Sequence, residues 1–153
     1  MKTLIIAEAG INHNGNISQA FKLIKIAKIS GADYVKFQIF NTKELINRNF
    51  QTKKINYKKI YGRFKKLEFS INNWKKIISF AKKRKIKIFF SVFDIKSLNV
   101  VKKLKINLIK IPSGEITNVQ LLKAINKFKI KTILSTGMST LEEIKIAMKL
   151  LRN

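Results

Sequence analysis

An α/β fold built on a parallel sheet is what this sequence predicts, and two observations predict it. Five short apolar runs rich in Ile, Val and Phe recur along the 153 residues, at 4–7, 34–37, 86–90, 108–111 and 132–134. The stretches between them repeat their apolar residues at helical spacing, and alternation of the two patterns is the mark of β-α units. The length suits one domain with a real core and is too short for two large ones.

The elements follow in order. The first run ends on Glu8, and a turn rich in glycine and asparagine, carrying the single histidine, His13, leads into a stripe of Ala20, Leu23, Ile24, Ala27 and Gly31. Trp74, Ile77, Ile78 and Ala81 form a second stripe, and Leu98, Val101 and Leu104 a third. Leu121, Leu122, Ile125 and Phe128 make the fourth; Leu141, Ile144, Met148 and Leu151 make the fifth. Each stripe is expected to pack on the sheet. Asp94 and Asn118 have the chemistry and position of N-caps, and Ser139 with Glu142 has the spacing of a capping box. Residues 41–69 break the rhythm: the segment is polar, lysine-rich and long for a β-α connection, which marks a functional loop or an insertion.

Every predicted strand runs out into a polar group. Glu8 follows the first; Lys36 and Gln38 end the second; Ser91 and Asp94 end the third; Lys110, Ser113 and Glu115 end the fourth; Ser135 ends the fifth. One such residue is ordinarily a turn former. Five in step are different, because the strand ends of a parallel α/β sheet share one rim, which in a (β/α)8 barrel is the catalytic face. Two lysines and three hydroxyls offer charge and directional donors to a phosphate or carboxylate, while two glutamates can handle protons or sugar hydroxyls. An anionic small substrate is implied. The GINHNG turn lacks the glycine spacing of a nucleotide loop, and His13 alone cannot build a metal site.

The formal charge of +25 raises the alternative of a non-catalytic basic module that binds nucleic acid or another polyanion. Composition argues against nucleic acid as the partner. Of the 33 basic residues 29 are Lys, they accompany many Ile, Asn and Phe, all with AT-rich codons, and they spread along the chain as solvated helix faces do. The chain contains no cysteine, which fits a reducing compartment, and the first apolar run is too short for a leader, so the expected location is the cytoplasm with no membrane contact.

The segments IIAEAGINHNGN, DYVKFQIF, FFSVFD, IKIPSGEI and ILSTGMST, in this order and spacing, resemble the N-acetylneuraminate (sialic acid) synthase family over essentially the whole chain. The resemblance implies a (β/α)8 TIM-type barrel that condenses phosphoenolpyruvate with an N-acetylated hexosamine such as N-acetylmannosamine, giving a nonulosonic acid in carbohydrate biosynthesis. By position it implies that Lys36, Ser91, Lys110, Ser113 and Ser135 bind phosphoenolpyruvate. Glu8 corresponds to an acid/base or water-handling carboxylate, and Gln38 and Glu115 to contacts with the open-chain sugar. A divalent metal, manganese or magnesium, is expected for the family, with its histidine ligands beyond the matched residues.

Two departures from the family stand out. Ser91-Val92 replaces a common Thr-Pro pair. The sequence stops after the fifth helix, so residues 1–153 are expected to be about five β-α units of the N-terminal barrel, truncated before strand six. The C-terminal half barrel and the antifreeze-like domain are then missing, and the chain alone is expected to be inactive. Such a half ring is expected to expose edges flanked by Leu4, Ile5 and Ile6 and by Ile133 and Leu134, and to self-associate or pair with a complementary half chain.

Overall fold

Parallel neighbours cannot be joined by tight hairpins and need a long crossover, which here is helical each time. In the computed structural model, which describes residues 3–47 and 56–151, strands β1 (Ile6–Gly10), β2 (Tyr34–Ile39), β3 (Lys87–Val92), β4 (Leu108–Ile111) and β5 (Lys131–Leu134) lie side by side in chain order. All four pairings are parallel. The helices are α1 (Ile17–Ile29), α2 (Thr42–Leu45), α3 (Tyr57–Leu67), α4 (Ile71–Lys83), α5 (Ile95–Lys103), α6 (Val119–Phe128) and α7 (Leu141–Leu151). This is the architecture of a partial TIM-type barrel.

Side chains alternate across a strand, and the register gives the sheet two unlike faces. Val35, Phe37, Ile39, Phe90, Val92, Ile109 and Ile111 are buried in one core with Ile24, Trp74, Ile77, Leu98, Val101, Leu121, Leu122 and Ile125 from the helices. The opposite face carries Glu8, Lys36, Gln38, Ser91 and Lys110. Polar caps start the helices: Asn16, Asn41, Asn56, Ser70, Asp94 and Asn118 each accept a backbone N–H of the first turn.

Several boundaries differ from those the sequence predicts. β1 begins two residues into the apolar run, at Ile6, and continues through Glu8, so Glu8 lies within the strand and not beyond it. Leu4 and Ile5 are exposed. The Ile5 N–H donates to the Asp33 carboxylate at 2.9 Å, and its carbonyl accepts from the Asp33 and Tyr34 amides. Lys36 is likewise the third residue of β2 rather than its end.

At the last helix the capping box is Thr140 with Glu143, one residue after Ser139 and Glu142: the Thr140 N–H donates to Glu143 and the Glu143 N–H to the Thr140 hydroxyl. Of the fifth stripe, Leu141 and Met148 are exposed and Ala147 is the buried residue of α7. α7 is the outermost helix and packs on α6. The segment 41–69 contains α2 and α3, and its residues 48–55 lie outside the described residues.

His13 belongs to the core. Its ring is fully buried, stacked on Phe69 at 4.4 Å and meeting Trp74 edge-on at 5.9 Å. Nδ1 accepts the Gly15 N–H at 3.1 Å. Burial disfavours the charged imidazolium and lowers the pKa from 6.5 to about 4. Because the unfolded chain protonates first, the stability that neutral His13 contributes is complete above pH 6.5 and is lost as pH falls toward 4. The loss is on the order of 3 kcal/mol. Urea unfolding at a series of pH values is expected to show His13→Phe losing less stability across this window than the wild type; parallel curves would mean that the ring is not held neutral.

Candidate functional site

The register aligns the polar face in rows. Glu8 pairs with Lys36, and Lys36 with Phe89. One step toward the strand ends, Gln38 pairs with Ser91, Ser91 with Lys110, and Lys110 with Ile133. Strands lie about 4.8 Å apart, so side chains from β1 to β4 meet although they are far apart in sequence.

The Lys36 ammonium sits 2.6 Å from Glu8 Oε2 and donates to Ser91 Oγ at 2.7 Å. Lys110 Nζ lies 3.4 Å from Glu8 Oε1. The environments differ: the Lys36 side chain is 4% exposed, Lys110 27% and Glu8 53%. A nearly buried cation with a carboxylate and a hydroxyl against it is a satisfied group. Two lysines share one glutamate, so the network keeps a net positive charge and attracts an anion on its open side.

Ser113 opens a short 3-10 turn, Ser113–Glu115, directly after β4 and Pro112. The Ser135 N–H donates to the Ile111 carbonyl at 3.0 Å, which ties the segment after β5 to the end of β4. A Cβ at Gly137 would stand 3.6 Å from Ser113 Oγ, so this segment runs past the Ser113 hydroxyl. Gln38 shares its row with Ser91 and Lys110 and also borders a cavity of about 120 Å³ with Phe69, Trp74 and Lys96.

Glu115 stands apart. Its carboxylate accepts from Asn118 Nδ2 at 2.8 Å, and it lines a separate opening with Glu44, Asp94 and Lys96. The structure therefore joins Glu8, Lys36, Ser91 and Lys110 in one network and sets Gln38 beside them. It places Ser113 and Ser135 on adjoining loops and leaves Glu115 outside the network.

Asp94 does more than cap α5. It accepts from the Ser97 N–H and hydroxyl at 2.7 and 2.8 Å and from the Asn41 N–H at 2.8 Å, which fastens the exit of β2 to the start of α5. The Asp-x-x-Ser spacing reveals the cap; nothing local reveals Asn41. Glu68 clamps the same exit, accepting the Thr42 N–H at 2.6 Å and pairing with Lys65 at 2.5 Å. Burial pushes the Glu68 carboxyl up, but its bonds to Lys65 and Thr42 outweigh this and hold it below the usual carboxylate range.

Among the described residues no three His, Asp or Glu side chains converge as a metal site. Glu8 is engaged by two lysines and His13 is enclosed by aromatic rings, so neither fits a divalent metal, whose ligands the resemblance puts beyond these residues. Among the described residues no helix is long and apolar enough to cross a membrane.

Comparison with known proteins agrees with the fold. The chain is 46% identical over 98% of its length to the N,N'-diacetyllegionaminic acid synthase of Campylobacter jejuni, covering 47% of that protein. It is 38% identical over 97% of its length to the synthase of the same name from Legionella pneumophila, covering 43% of it. A crystal structure of N-acetylneuraminic acid (sialic acid) synthetase from Leptospira borgpetersenii superposes over 99% of this chain and 50% of that one, with a TM-score of 0.89 and 30% identity. The chain spans about half the length of the proteins it matches. Residues 23–153 match the NeuB family, and the chain belongs to it.

Proposed function

We propose that this chain forms the phosphoenolpyruvate-binding wall of an enzyme that condenses phosphoenolpyruvate with an N-acetylated hexosamine, N-acetylmannosamine-like, to give a nonulosonic acid. The observation that carries the reading is the Lys36–Glu8–Lys110 network with Ser91 on the polar face of the sheet, in a chain whose relatives are nonulosonic acid synthases. That the Leptospira structure is a complex with citrate, a multivalent carboxylate, is in keeping with an anion site.

In the reaction, C3 of phosphoenolpyruvate bonds to the aldehyde carbon of the open-chain sugar, whose oxygen takes up a proton. Water adds at C2, and the adduct collapses to the 2-keto acid as phosphate leaves. Lys36 and Lys110 hold the phosphate and carboxylate charges, and Ser91, Ser113 and Ser135 direct hydroxyl donors at them. Glu8, fixed between the two ammonium groups and half open to solvent, orients the water and takes its proton. Gln38, in the row beside Ser91, faces the sugar, while Glu115, bonded to Asn118 on the separate opening, takes no part in this arrangement.

Calorimetric titration with phosphoenolpyruvate is expected to show binding that Lys110→Ala weakens at least tenfold, since one charge-assisted contact contributes about 1.5–3 kcal/mol. Equal affinity in the two proteins would remove the assignment. Phosphate release that depends on N-acetylmannosamine, assayed with manganese present because the family resemblance implies a divalent cation, tests the full reaction.

A further inference from the structure

The N-terminal edge of the sheet, opposite the candidate site, has a charge pattern that the proposed condensation does not use. α4, α5 and α6 are followed by near-identical turns, Lys85-Ile86-Lys87, Lys105-Ile106-Asn107 and Lys129-Ile130-Lys131. In each the first lysine is left-handed, with φ of 53°, 55° and 51°, a conformation that Gly or Asn adopts with least strain. The isoleucine that follows is buried in the core or packed against it, so the turns are anchored and their lysines are placed together.

Between the turns runs a groove of about 720 Å³ bordered by Lys82, Lys87, Lys129 and Lys131, with Tyr34, Ile78 and Leu108 among its other walls. All four lysines are exposed, and among the described residues none of them pairs with a carboxylate. The Lys87 ammonium lies over the Tyr34 ring, 5.3 Å from its centroid.

The acids are sorted to the other end. Glu44, Asp94, Glu115, Glu142 and Glu143 fall where helices begin or strands end, Glu68 follows α3 but is bonded to the Thr42 amide at the exit of β2, and Glu8 lies in the candidate site. Asp33 is the one carboxylate at the lower edge, and it is bonded to the Ile5 amide. Helix C-termini favour cations, which accounts for lysines in the last helical turns. It does not account for Lys87 and Lys131, which open strands β3 and β5. A drift toward lysine codons raises the count without sorting the acids away.

We infer that this groove is a second anion site, which takes a compact oligophosphate carrying three or more negative charges. The cations ring one concavity of small-ligand size and do not trace a track along the surface, which favours a compact ligand over a nucleic-acid strand. Tyr34 and the aliphatic wall give a nucleoside an apolar bed, so a nucleoside triphosphate and an inorganic oligophosphate share the recognised chemistry.

The test is calorimetric titration of the chain with inorganic tripolyphosphate, a nucleoside triphosphate and an oligothymidine of about a dozen nucleotides, all near 0.15 M salt. Tripolyphosphate is expected to bind, and Lys129→Glu with Lys131→Glu to weaken it at least twentyfold while leaving phosphoenolpyruvate binding unchanged. Tighter binding of the nucleoside triphosphate identifies the nucleoside form as the source, and equal or weaker binding the inorganic form. Lys22→Glu with Lys123→Glu makes the same change in net charge on exposed helix faces and is expected to cost less than threefold. Lys82→Glu, on exposed helix surface, repeats the test where a turn variant fails to fold. No binding of tripolyphosphate, equal loss in the two double variants, or tighter binding of the oligothymidine that the turn variants abolish would each overturn the inference, the last in favour of a nucleic-acid surface.

Discussion

Replacing Lys36 with methionine is expected to abolish measurable phosphoenolpyruvate binding, a loss of more than about a hundredfold, while leaving the chain folded. The two expectations separate because the lysine does two jobs. As a side chain it fills a nearly closed site between β1 and β3, and methionine occupies a similar volume. As a charge it is held 2.6 Å from Glu8 and 2.7 Å from Ser91, where a ligand phosphate meets a cation already stripped of water. Removing a desolvated charge from a binding site costs about 2–5 kcal/mol, whereas exchanging a buried ion pair member for a well-packed apolar group is far gentler on folding when the remaining charge keeps a partner. Glu8 keeps Lys110. Lys36→Arg is not expected to rescue binding, because a planar guanidinium does not fit the place of a compact ammonium hydrogen-bonded to Ser91. Calorimetry decides the matter: affinity within threefold of wild type for Lys36→Met would show that Lys36 does not face the ligand.

The second large effect is structural. Gly15 has φ of +72°, and a Cβ there would lie 2.0 Å from the Lys66 carbonyl oxygen, a backbone atom near the end of α3. The turn after β1 therefore runs directly against α3, and no side chain can be inserted without moving one of them. Gly15→Ala is expected to cost more than about 4 kcal/mol, in the range of severe backbone strain and overpacking. Gly31 is the internal control: its φ is +79° with nothing within reach of a Cβ, so Gly31→Ala carries the left-handed penalty alone, about 1–2 kcal/mol. Denaturant midpoints compared for the two variants give the difference. Equal losses would mean that α3 does not approach Gly15.

The sequence by itself determined the fold class, the presence of the five strands and most of the polar residues on the site face, because each depends on local pattern. Period-two alternation distinguishes Lys36 and Gln38 from Val35, Phe37 and Ile39, and period 3.6 marks α1, α4, α5 and α6. It misplaced Glu8 beyond β1, because an apolar run shows where burial stops and not where inter-strand hydrogen bonding stops; Glu8 stays in the ladder opposite Lys36. It read Leu141 and Met148 as core, since a stripe records only that one face is apolar and not whether a neighbour covers it.

Tertiary structure alone decided which polar groups meet. Lys36 reaches Ser91 across 55 residues and Lys110 reaches Glu8 across 102, while Asp94 takes the Asn41 amide across 53. Glu115 turns instead to Asn118, three residues away. Strand order and register set those meetings, and both come from ladder bonds and helix packing summed over the whole sheet, which no local window of sequence contains.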